Sequence, residues 1–113
     1  MIEVNGSDVS MVRGDTETLT VTPLNADGTE YQLAEGEYVE IVLKEKESQA
    51  SPVVLRKTAV DGVVAFSRTD TWGLKEKAYF YNARIENGQD KHITFIAGKF
   101  TIKPVVDDEA SDD

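Results

Sequence analysis

Apolar and polar residues alternate along most of this chain. In residues 16–23, Leu19 and Val21 point one way and Thr18, Thr20 and Thr22 the other. In 38–45, Val39, Ile41 and Leu43 share a side, and in 78–86 Tyr79, Tyr81, Ala83 and Ile85 do the same. A period of two marks half-buried strands. It predicts strands over 16–23, 38–45, 53–60, 63–68, 78–86 and 92–103, preceded by a first strand split into 2–5 and 9–12. The sets just named are the predicted inward faces.

Turn signals separate these runs: Asn5-Gly6, Asp27-Gly28, Asp61-Gly62 and Asn87-Gly88. Asn and Asp tolerate left-handed backbone angles and Gly meets no steric penalty there, so such pairs suit hairpins. Asp61-Gly62 is expected to close a hairpin between 53–60 and 63–68. The last strand changes parity: Ile93 and Phe95 are odd, while Ile96, Phe100 and Ile102 are even. Gly98 is the natural place for the bulge or bend this demands. No helical period extends far, although "DTWGL" (70–74) suits one helical turn. Seven or eight short strands with regular turns predict an all-β sandwich.

Length fits one domain, expected over 1–105. The formal charge is −9. Five acidic residues (Asp107, Asp108, Glu109, Asp112, Asp113) crowd the last seven positions, so 106–113 is expected to be a disordered acidic tail. Removing these five from the 21 acidic residues leaves 16 against 12 basic, a balance of −4. Phosphate backbones and anionic lipid repel such a surface, so neither nucleic acid nor membrane is an expected partner. There is no cysteine, which removes disulfide and thiolate chemistry. No signal peptide or long apolar run is apparent, which suits a protein made in the cytoplasm or released by lysis.

Candidate chemistry is sparse. "MVRGDTETLTV" holds Arg13-Gly14-Asp15, a tripeptide that adhesive proteins offer to receptors. Common residues assemble such a triplet by chance, and Gly followed by Asp before "TETLTV" reads as a turn feeding a strand. His92 is the single histidine, with no cysteine or second histidine for zinc and no recognisable nucleophile set in "DKHITF". It is expected to begin a strand, half exposed. "NADGTEYQLAE" carries Asn25, Asp27, Gly28 and Glu30 but misses the EF-hand spacing; a looser β-domain calcium site stays open. Carboxylate pairs for glycoside hydrolysis meet only in a fold, so they too stay open, though a small sandwich leaves little room for a cleft. No cofactor motif is present: "VRGDT" and "VDGVV" lack the phosphate-loop pattern. Trp72 and Tyr79-Phe80-Tyr81 form the aromatic cluster, with Phe80 alone on the outward side of its strand.

Four stretches, in order, carry a resemblance: "SDVSMVRGDTETLTVT", "DGTEYQLAEGEYVEIVLKE", "TDTWGLKEKAYFYNARI" and "IAGKFTIKPVV". Together they resemble a family of small phage and prophage proteins of Gram-positive bacteria, typified by the N-terminal domain of siphophage baseplate upper proteins. The shared motifs are a Met-x-Arg-Gly-Asp-Thr-like opening, an Asp-Thr-x-Gly-Leu turn before Tyr-x-Tyr, and a closing Gly-x-Phe-x-Ile-x-Pro. Lys77-Ala78 stands where the family usually has Gly.

The resemblance implies an immunoglobulin-like sandwich and a non-enzymatic structural role in a particle: baseplate, tail, fibre base or capsid decoration. The implied partners are other virion proteins and further copies of the chain. The expected location is the virion, or the bacterial cytoplasm before lysis. Expected contact residues are Phe80, Trp72, and Val9, Met11 and Arg13 on an edge segment 9–13, since a sandwich has edges to protect or use. The competing expectation is a carbohydrate-binding module, with Tyr31, Tyr38, Trp72 and Phe80 as a row of sugar-stacking rings.

Overall fold

The computed structural model describes residues 2–48 and 50–105. The acidic tail expected at 106–113 lies outside the described residues. Among those described, eight strands and one short helix follow in chain order: β1 (Glu3–Asn5), β2 (Asp8–Val12), β3 (Glu17–Thr20), β4 (Tyr38–Lys44), β5 (Val53–Thr58), β6 (Val63–Phe66), α1 (Arg68–Trp72), β7 (Ala78–Glu86) and β8 (His92–Lys103). They form a six-stranded sheet, β1-β2-β8-β7-β4-β5, and a two-stranded sheet, β3-β6. The β2–β8 ladder is parallel, and the other ladders between these strands are antiparallel.

The core lies between the sheets. Val9 and Met11 (β2), Leu19 (β3), Ile41 and Leu43 (β4), Val64 and Phe66 (β6), Tyr79 and Tyr81 (β7), and Phe100 and Ile102 (β8) are all buried. Each large apolar side chain removed from water contributes about 1.5–3 kcal/mol, so the expected inward faces explain why the sheets stay together. Phe66 and Tyr81 pack on the Phe100 ring with centroids 5.6 and 5.9 Å away. One feature departs from simple alternation: Val42 and Glu40, on the opposite face of β4, are buried as well.

Four expectations are corrected. Residues 2–5 and 9–12 are not one split strand but a hairpin, with Asn5 opposite Asp8 and Gly6 at φ 65. A two-residue turn with positive φ at its first residue has the II′ pattern, which joins antiparallel strands rather than extending one.

Segment 9–13 is consequently no edge, because β2 is flanked by β1 and β8. The Asp61-Gly62 turn does form, with φ 53 and 78 and mutual backbone hydrogen bonds between Val60 and Val63. It is a corner and not the end of a hairpin. Ala59 N–H donates to Val39 O, keeping that flank with β4, while Val21 N–H donates to Gly62 O, drawing the turn to the other sheet.

The parity change is absorbed at Phe95, where pairing jumps from Ala83–Ile96 to Arg84–Thr94. Gly98 serves a close approach instead, since a Cβ there would sit 2.4 Å from Ser7 O. The β1–β2 turn closes down on it, with Tyr81 Oη–H donating to Ser7 O and Lys99 N–H to Asp8 Oδ1.

Candidate interaction surfaces

The Arg13-Gly14-Asp15 turn is occupied within the molecule. Gly14 takes φ 83, and its N–H donates to Oγ1 of the buried Thr71 at 2.8 Å. A side chain at Gly14 would place Cβ 2.5 Å from the Trp72 ring, so Gly serves both the backbone angle and the close approach. Arg13 donates to Trp72 O at 2.8 Å and to Glu76 Oε2 at 3.1 Å, and its guanidinium stacks on the Trp72 ring at 4.3 Å. Arg68 stacks on the same ring at 4.1 Å. The triplet thus braces the end of α1 against β2. Trp72 stays 41% exposed but is already engaged by two cations.

Of the other expected contact residues, Val9 and Met11 are core side chains and cannot meet a partner in this fold. Phe80 is half-buried on the outer face of the six-stranded sheet. Register gives that face row by row across β4, β7 and β8: Lys44–Phe80–Lys99, then Val42–Asn82–Ala97, Glu40–Arg84–Thr94 and Tyr38–Glu86–His92.

The lower two rows hold a linked set of charges. Arg56 donates to Glu40 at 2.9 Å, Arg84 Nε lies 3.5 Å from Glu40 and 3.2 Å from Glu86, and His92 Nδ1 is 2.6 Å from Glu86. Pairing of this kind is what permits Glu40 to be buried. The same face opens into a cleft of about 280 Å³, lined by Lys44, Lys46, Phe80, Asn82 and Ala97 of and beside the upper rows and by Arg84, Thr94 and His92 of the lower ones. In it Asn82 Oδ1 is buried without a hydrogen-bond partner.

The four rings proposed for sugar stacking do not form one row. Tyr38 and Phe80 share the outer face but stand at opposite ends of the β4–β7 ladder, in the Glu86 and Lys44 rows. Tyr31 is committed elsewhere: its hydroxyl donates to Glu37 Oε1 at 3.0 Å and accepts from Lys91 at 3.2 Å. Lys91 also pairs with Glu37 Oε2, and Ala34 N–H donates to Glu37 Oε1 at 2.9 Å. These donors, Lys91 foremost, hold the Glu37 carboxyl down at about 2.

The acidic loop considered for calcium is closed on itself. Asp27 Oδ1 accepts from Thr29 N–H and Thr29 Oγ1–H at 3.0 and 2.7 Å, which keeps its carboxyl below the ordinary value. Among the described residues, no group of three or more His, Asp and Glu is placed to hold a metal ion. Among them, too, no helix is long and apolar enough to cross a membrane.

A second depression, of about 470 Å³, lies at one end of the sandwich. Val21, Pro23, Leu33, Val39 and Ala59 line it, together with the polar Thr20, Thr22, Glu30, Gln32 and Asp61. Leu33 is 45% exposed, and Leu24 and Val60, each next in sequence to lining residues, are 58% and 71% exposed. Sequence reasoning missed this surface. Its signal was present as leucines in the polar 24–33 loop and a valine just before Asp61-Gly62, but nothing in the alternation brought them together.

Neither a comparison with models of known protein families nor one with curated proteins finds a match for this chain.

Proposed function

We propose that this chain is a non-enzymatic assembly module of a phage or prophage particle, acting by protein–protein contact with copies of itself and with other virion proteins. The observation that carries the contact role is a set of exposed apolar side chains at one end. Leu24, Leu33 and Val60 are exposed at or beside a groove floored by Val21 and Ala59. Apolar side chains concentrated at one place, rather than scattered singly, mark an interaction surface.

The particle assignment draws on the order of the four motif stretches. An immunoglobulin-like reading is supported by strand order: β4, β7 and β8 are neighbours with β5 outside β4, facing β3 and β6. That is the arrangement expected of strands C, F, G and C′ opposite B and E. A small module of this kind gains a firm hold by symmetric repetition of weak contacts.

Light scattering coupled to size exclusion tests the reading on the purified chain. The expected result is a closed oligomer that Leu33→Asp and Val60→Asp each convert to monomer without lowering the unfolding temperature. Both positions are exposed, so their charge substitutions fall within about 0.5 kcal/mol of neutral for the single chain. A monomer at all concentrations, or an oligomer indifferent to both substitutions, overturns self-assembly through this groove.

A further inference from the structure

The outer-face cleft is separate from the apolar groove and differs from it in kind. Phe80 is flanked across the ladder by Lys44 on β4 and Lys99 on β8, and Lys46 joins the cleft lining just beyond β4. Of the described lining residues, Glu47 alone is acidic. This cationic rim sits on a chain whose net charge is −9. Beneath it lie a half-buried aromatic ring and an amide whose Oδ1 lacks a donor. The small side chain of Ala97 leaves the space open.

We propose that this cleft binds an acidic peptide segment of a partner protein. Three features of such a segment match three features of the site. Its carboxylates meet the exposed Lys46 and Lys99 as charge-assisted partners. A backbone N–H entering the cleft gives Asn82 Oδ1 the donor that it needs when buried. An apolar side chain next to the acid lies on the Phe80 ring, the kind of aromatic anchor that contact sites favour.

A neutral sugar would use the ring and the amide but gain nothing from the exposed ammonium groups. A long polyanion such as nucleic acid would meet the repulsion of the whole molecule. A short segment avoids this, because at physiological salt charges beyond about 8 Å are screened and the local lysines dominate. The volume, about 280 Å³, suits a few side chains and not a folded element.

The test titrates the ¹⁵N-labelled full-length chain with the acetylated peptide Ser-Glu-Phe-Asp-Glu-Ser, following amide signals by NMR. Three comparisons accompany it: the same peptide with Gln and Asn for Glu and Asp, a neutral oligosaccharide, and the protein variant Lys46→Glu/Lys99→Glu. Both lysines are exposed, so the variant keeps the fold, which its unfolding temperature verifies.

The expected result is saturable shifts at Lys44, Phe80, Asn82 and Thr94. Affinity should fall about tenfold or more, or about 1.4 kcal/mol, for both the amide peptide and the lysine variant. Absence of shifts at about 1 mM peptide, where binding free energy is only about 4 kcal/mol, overturns the proposal. So does equal affinity for the amide peptide, indifference to the lysine variant, or cleft shifts produced by the sugar alone. None of these results touches the groove, whose test substitutes Leu33 and Val60.

Discussion

Gly98 has a hydrogen where any other residue would place a carbon 2.4 Å from the Ser7 carbonyl oxygen, and the atom opposing it is backbone. The neighbour cannot swing away as a flexible side chain would. Tyr81 holds Ser7 O, and Asp8 holds Lys99 N–H, so the whole β1–β2 turn would have to lift. Gly98→Ala is therefore expected to destabilise by about 2 kcal/mol or more, seen in thermal melts as a drop of roughly 8 °C.

Gly73 is the matching control. It caps the end of α1 with a negative φ of −83 that any residue can adopt, and a Cβ added there would have nothing within 4 Å. Gly73→Ala reduces the freedom of the unfolded chain without strain, so it should be neutral or stabilising by up to about 1 kcal/mol. Equal effects of the two substitutions would refute the close-approach account of Gly98.

At the scale of elements, the Glu37–Lys91–Tyr31 cluster ties the residue just before β4 to the residue just before β8. The Glu37 carboxyl titrates at about 2 in the fold against an ordinary 4.5. A depressed folded-state pKa means that the unfolded chain takes up the proton more readily. The contribution is complete above about 4.5 and is lost as pH falls through that window towards 2. Glu37→Gln should accordingly flatten the fall in unfolding temperature between about pH 5 and about pH 2.5. Asp27, Glu45, Asp70 and Asp90, also lowered, supply the slope that persists. Parallel slopes in the two proteins would remove Glu37 from the acid response.

The same scale shows what alternation can and cannot convey. β7 occupies the segment expected from its period because it buries one face along its whole length, whereas β8 buries only Phe100 and Ile102 near its end. Alternation specifies a face but never a partner, so β5 and β6 looked like one hairpin while belonging to different sheets. The change of parity in β8 required a bulge, yet its position depended on how Ala83 and Arg84 meet their neighbours. The turn at Arg13-Gly14-Asp15 was legible from Gly and Asp alone. Its braces, Thr71, Trp72 and Glu76, lie about sixty residues away and were not. The groove and the cleft were illegible for the same reason, since their residues come from separate strands and loops.

For the whole molecule, the two proposed surfaces should respond to salt in opposite directions. Copies of a chain carrying −9 repel one another, and that repulsion opposes association through the apolar groove. Raising salt from about 0.1 to 1 M shortens the screening length from about 10 Å to 3 Å, removing the repulsion while leaving the hydrophobic contact intact. The oligomer fraction seen by light scattering should rise over that range. Acidic-peptide binding at Lys46 and Lys99 should weaken over the same range, because there the charges attract. If self-association instead weakened with salt, charge pairs rather than Leu33 and Val60 would hold the copies together. The cationic cleft, facing the acidic surface of a neighbouring copy, would then be the first place to look for the contact.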